Sequence, residues 1–157
     1  MTRLSLTALL LPLLVSAAAS PAVAQERIGE VSTTFHLTSP NDKVVIDRFD
    51  DAAVEGVSCY VSRAETGGWS GAVGLAEDPS RFAIACRAVG TPKIIGKIDE
   101  SDSGELVFSE RTSAIFKTLR ITRFLDKKKN VLVYLAWSTK VVEGSPSNSI
   151  SIVPLDR

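Results

Sequence analysis

The stretch TLRITRFLDKKKNVLVYLAWS, residues 118–138, reads as a β-hairpin and sets the fold class. Its first arm places Leu119, Ile121 and Leu125 on one face, with Arg123 as the exception on that face. This period of two is that of a strand with one face buried. Its tip, Asp126-Lys127-Lys128-Lys129-Asn130, is polar and charged, as an exposed turn is. Its second arm, Val131 to Ser138, is apolar on both faces, which predicts a strand through the middle of the core with Leu132 and Leu135 both buried.

Outward from this hairpin the chain repeats the same grammar. Strand-like runs fall at 28–36, 43–49, 57–63, 81–89, 105–109 and 150–153, with a short extended piece at 93–98. Ser39-Pro40-Asn41-Asp42, Gly67-Gly68-Trp69-Ser70-Gly71 and Gly90-Thr91-Pro92 punctuate them. Residues 72–77 and 112–117 allow at most short helical turns. About eight short strands in one domain predict a mainly β protein, an antiparallel sandwich or a small barrel. The pattern leaves both open.

Residues 1–24 stand apart. Arg3 precedes an almost wholly apolar run from Leu4 to Val15, followed by small residues and Ala22-Val23-Ala24. This is the layout of a secretory signal peptide cleaved between Ala24 and Gln25. The run is too short for the roughly 20 apolar residues of a membrane span. No cysteine lies at the cleavage point, so no lipid anchor is expected there, nor stable membrane insertion after cleavage. The single domain is then 25–157. Without Arg3, 17 basic residues face 18 acidic ones, a net charge of −1. That balance offers nucleic acid no basic footprint, and Lys127–Lys129 is too short a run to supply one.

Export implies an oxidising compartment, where two cysteines are expected to form a disulfide. Val57, Cys59 and Val61 share one strand face, and Phe82, Ile84 and Cys86 share another, so both sulfurs point to the apolar side. A Cys59–Cys86 bridge is expected, two buried free thiols being the alternative. The spacing is far from C-x-x-C, so the bridge is read as structural.

Catalytic signals are sparse. His36, the single histidine, has no nucleophile motif near it and is read as a surface residue. Asp99 to Glu110 has the skeleton of a calcium loop, with Gly104 sixth and Glu110 twelfth. Ser101 and Ser103 stand where Asp or Asn is usual, so a solvated turn is expected and no metal. Carboxylates such as Asp47, Asp50, Asp51, Glu77 and Glu143 offer chance pairs for a hydrolase, the alternative reading. Trp69 sits on a glycine-rich loop, as a binding aromatic or as a lid over the core.

Four strings resemble the catabolite regulation protein A family, CreA: FHLTSPND (35–42), VEGVSCYVSRA (54–64), GLAEDPS (74–80) and EGSPSNS (143–149). The resemblance runs from about residue 28 to 155. It implies a small exported bacterial protein, periplasmic, with a link to carbon-source response. It supplies no enzymatic activity, ligand or catalytic residue.

The resulting expectation is a non-enzymatic periplasmic domain without a cofactor. Its partner would be a small molecule or an envelope protein. Arg63 and Arg87, near the ends of the cysteine strands, are the polar candidates alongside Trp69. Fixed guanidinium groups beside a disulfide suit an anion. Strand-end ion pairs are the plainer use of both arginines. Simple alternation puts the two on opposite faces, so they converge only where the chain bends.

Overall fold

A computed structural model describes residues 25–68, 81–111, 118–142 and 145–155. The segment 1–24, Trp69, the two possible helical turns, Glu77 and Glu143 lie outside those residues. Eight strands follow in order: β1 (Gln25–Ser32), β2 (Lys43–Asp50), β3 (Val54–Glu65), β4 (Phe82–Ile94), β5 (Glu105–Arg111), β6 (Thr118–Asp126), β7 (Val131–Val142) and β8 (Ser145–Pro154). They form two antiparallel meanders, β1-β2-β3-β4 and β5-β6-β7-β8. Among the described residues no ladder joins the two sheets, so of sandwich and barrel the sandwich is what forms.

Alternation explains the core. Phe49, Val57, Cys59, Val61, Ile84 and Cys86 face inward from the first sheet. Leu119, Ile121, Leu132, Tyr134, Ala136 and Val153 face them from the second. The rings of Phe49 and Phe108 stack across the gap at 4.6 Å. Cys59 and Cys86 are direct partners in the β3–β4 register and form the disulfide.

The hairpin at 118–138 is present in register, Leu125 opposite Leu132. β7 is interior to its sheet, between β6 and β8. Only one of its faces is fully buried, however. Leu132 is wholly enclosed, whereas Leu135 is half-buried on the outer face, next to Ile150 of β8. Among the described residues the sandwich has two layers, and no third sheet lies over that face. On the same outer face the Arg120 guanidinium lies over the Trp137 ring, 5.4 Å from its centroid.

Two further readings change. The strand expected over 28–36 stops at Ser32. Residues 33–42 form a braced loop instead, because short polar side chains bond its backbone. Asn41 Oδ1 accepts from His36 N at 2.7 Å, and Thr34 Oγ1 accepts from Asp42 N at 2.9 Å. Phe35 is 79% exposed, and Leu37 is 89% exposed. The break expected at 90–92 is a bulge within one long β4. Val54 pairs Ile94 and Glu55 pairs Lys93, but Val57 pairs Ala88. Residues 89–92 thus bulge opposite Gly56, whose φ of 76° suits glycine, and a Cβ there would sit 2.6 Å from the Thr91 carbonyl oxygen. The piece at 93–98 is in part the end of this strand.

Arg123 keeps the place on the apolar face that its position in the strand assigns it. It does face the core, and its side chain is 1% exposed. It bonds both carboxylate oxygens of Asp51 and also Glu105, while the Tyr134 hydroxyl donates to Asp51 Oδ2 at 2.9 Å. Removing one partner of such a buried pair typically costs about 3–5 kcal/mol.

Candidate functional site

The charged residues at the opposite end of the core from Arg123 are equally committed. Arg63 is nine-tenths buried on the inner face of β3. It meets Asp47 at 3.1 Å, Glu65 at 2.8 Å and Glu110 at 2.8 Å. Arg27 adds a second cation to Asp47 and Glu65. Burial pushes the Glu110 carboxyl above its usual range, against the pull of Arg63. The plainer reading of Arg63, an ion pair at a strand end, describes its place.

Glu110 therefore belongs to this network, at the far end of β5 from the 99–104 turn. Asp99 spends an oxygen on the Ser101 backbone N–H at 2.8 Å, which holds its carboxyl below its usual range. The twelve-residue string does not wrap around a common point. His36 is partly exposed, with Nε2 at 3.9 Å from Asp42. Asp50 accepts from the Ser58 hydroxyl at 2.6 Å.

Arg87 differs from all of these. It lies opposite Ser58 in the register, one residue past Cys86, and is exposed on the outer face. Arg63 and Arg87 thus lie on opposite faces of the first sheet and do not converge. Among the described residues no carboxylate lies within ion-pair distance of Arg87. Asp50, in the same cross-strand row, is two strands away with Ser58 between them.

Arg87 lines a groove that sequence reasoning had no means to find. β4 runs beside β8 along one side of the sandwich. The link between them is a side chain: Ser151 Oγ accepts from Cys86 N–H at 2.8 Å and donates to Cys86 C=O at 3.3 Å. Both backbone groups of Cys86 thus point at β8, so Cys59 and Cys86 form the closer, non-hydrogen-bonded kind of antiparallel pair. By the same alternation the backbone groups of Ile84 and Ala88 point into the seam. The seam opens as a groove of roughly 450 Å³ between Ile84–Ala88 and Ser151–Pro154, in the size range of ligand pockets. Among the described residues Arg87 is the one charged residue in its lining.

A second cavity of roughly 550 Å³ lies against Lys97, Asp99, Glu100 and Glu105. Two of these charges are paired, Glu100 with Lys127 and Glu105 with Arg123. Among the described residues no three His, Cys, Asp or Glu side chains gather to hold a metal, and no helix is long and apolar enough to cross a membrane.

Comparison with known proteins gives one consistent result. A family model described as "CreA protein" matches residues 28–157. "Protein CreA" of Escherichia coli strain K12 is 51% identical over 136 residues, covering 86% of this chain and 87% of the relative. The proteins of the same name from strains O6:H1 and O157:H7 match to the same extent. No solved structure matches.

Proposed function

The chain belongs to the CreA family, and from that premise we propose that it is an exported, non-enzymatic binding domain of the periplasm. Its ligand is a small molecule or a segment of an envelope partner, taken at the β4–β8 seam. The family's link to carbon-source response would act through that ligand.

The observation that carries this reading is the contrast between arginines. Arg63 and Arg123 are buried and paired with carboxylates, whereas Arg87 stands on an open groove without an ionic partner among the described residues. A cation left free beside apolar surface and open backbone groups suits recognition. Of the carboxylates of the hydrolase alternative, Asp47 and Asp51 each end on an arginine and Asp50 accepts from Ser58, while Glu77 and Glu143 lie outside the described residues. Export is supported by the composition of residues 1–24 and is compatible with the disulfide.

Two measurements test it. Protein recovered from the periplasm has an intact mass beginning at Gln25; a mass retaining residues 1–24 refutes export. Thermal-shift screening of that mature protein against small anions and envelope metabolites gives a ligand-dependent rise in Tm. The rise is lost in Ala85→Trp, which fills the groove. A rise unchanged by that variant refutes the seam as the site.

A further inference from the structure

We propose that the β4–β8 groove takes an aliphatic carboxylate, its head group on Arg87 and its alkyl chain along Ile152, Val153 and Pro154. This rests on the binding reading above and names the chemistry of the same site.

The lining decides the class. Apart from Arg87 and Ser151 it is Ile84, Ala85, Cys86, Ala88 and the apolar end of β8. Among the described residues, one cation beside an otherwise uncharged, largely aliphatic wall complements one anionic group attached to an apolar body. The apolar surface continues beyond the groove. On the outer face Ile150 is 59% exposed and Ile152 53% exposed, flanked in register by Leu135 and Val133. Isolated exposed aliphatics are ordinary, but a row contiguous with a groove gives an alkyl chain somewhere to lie.

An extended peptide is disfavoured by the seam itself. A peptide strand would add to β4 by pairing with the backbone of Cys86. The Ser151 hydroxyl already occupies both groups. A second copy of this chain placed face to face on this surface offers no anionic group from the same groove to meet Arg87. A monomeric amphiphile meets neither obstacle.

The test is calorimetric titration of mature, disulfide-bonded protein with octanoate, decanoate and dodecanoate below their micelle concentrations. Each added methylene tightens Kd roughly three- to fourfold until the groove is filled. Decanol and decyltrimethylammonium bind at least tenfold more weakly than decanoate. Arg87→Gln weakens decanoate tenfold or more, and Arg87→Lys less, since a charge-assisted hydrogen bond is worth about that ratio. Both variants are at an exposed position and should keep the wild-type Tm. Equal affinity for decanol and decanoate overturns the proposal, as does indifference to Arg87→Gln. Binding only to vesicles of anionic phospholipid, with none to monomeric decanoate, overturns it in favour of a membrane surface. If decanoate is inert while citrate or an acidic tetrapeptide gives an Arg87-dependent shift, the ligand class fails and the seam reading stands. If none of these probes gives an Arg87-dependent shift, the seam reading fails with it.

Discussion

The Ser151 hydroxyl stands in for a strand, meeting both the N–H and the C=O of Cys86 across the gap between the two sheets. One side chain therefore does the work of a ladder on that side of the sandwich. Ser151→Ala should cost about 0.5–1.5 kcal/mol in a denaturant melt, the usual net worth of such hydrogen bonds. It should also speed exchange of the Cys86 amide ahead of its neighbours on β3. Unchanged protection at Cys86 would show that the hydroxyl is dispensable.

The disulfide locks β4 to β3 at the same point. Closing a loop of about 28 residues is worth roughly 3–4 kcal/mol in the chain-entropy model. Thiol titration of denatured, unreduced protein should find no free thiol. Reduction should lower Tm by several degrees, since a domain of this size shifts roughly 2–8 °C per kcal/mol. Two titratable thiols would refute the bridge.

The hairpin separates the two faces of one strand. Leu132→Ala removes a fully enclosed side chain and should cost about 2–5 kcal/mol. Leu135→Ala, on the outer face, should cost less, because part of its apolar area is already exposed in the folded protein. Lys128→Ala, at the exposed tip, should stay within about 0.5 kcal/mol. Denaturant melts rank the three. Equal costs for the two leucines would mean that something covers the outer face of the second sheet.

These leucines show what the sequence could and could not carry. Alternation located the strands and put both sulfurs inward, because pleating is a local rule. An apolar outer face looks the same in a sequence as an inner one, so Leu135 read as core. The end of β1 was lost because Thr34, Asn41 and Asp42 bond backbone groups that a strand would otherwise use. Arg123 was visible as an anomaly on an apolar face, but its partner Asp51 is 72 residues away, and nothing local announces it. The opposite faces of Arg63 and Arg87 were legible. The groove was not, since it depends on β4 lying beside β8, a fact of topology alone.

Tyr134 gives a pH signature. Burial, first, and then the Asp51 carboxylate push its phenol well above the usual value near 10. A folded-state pKa raised in this way leaves stability intact below about pH 10, the unfolded value, and erodes it above, by up to about 1.4 kcal/mol per pH unit. With Tyr60→Phe, Tyr134 is the one remaining tyrosine. That variant should show no phenolate absorbance until its circular dichroism is lost. Phenolate absorbance in a still-folded protein would contradict the buried Tyr134–Asp51 contact.

The central claim, that ligand is taken at the seam, is tested most directly by amide shift mapping of uniformly 15N-labelled mature protein titrated with decanoate. The account predicts saturable shifts confined to Ile84–Ala88 and Ile150–Val153, absent in Arg87→Gln. Shifts centred instead on the exposed Phe35–Leu37 loop, with the seam amides unmoved, would contradict it.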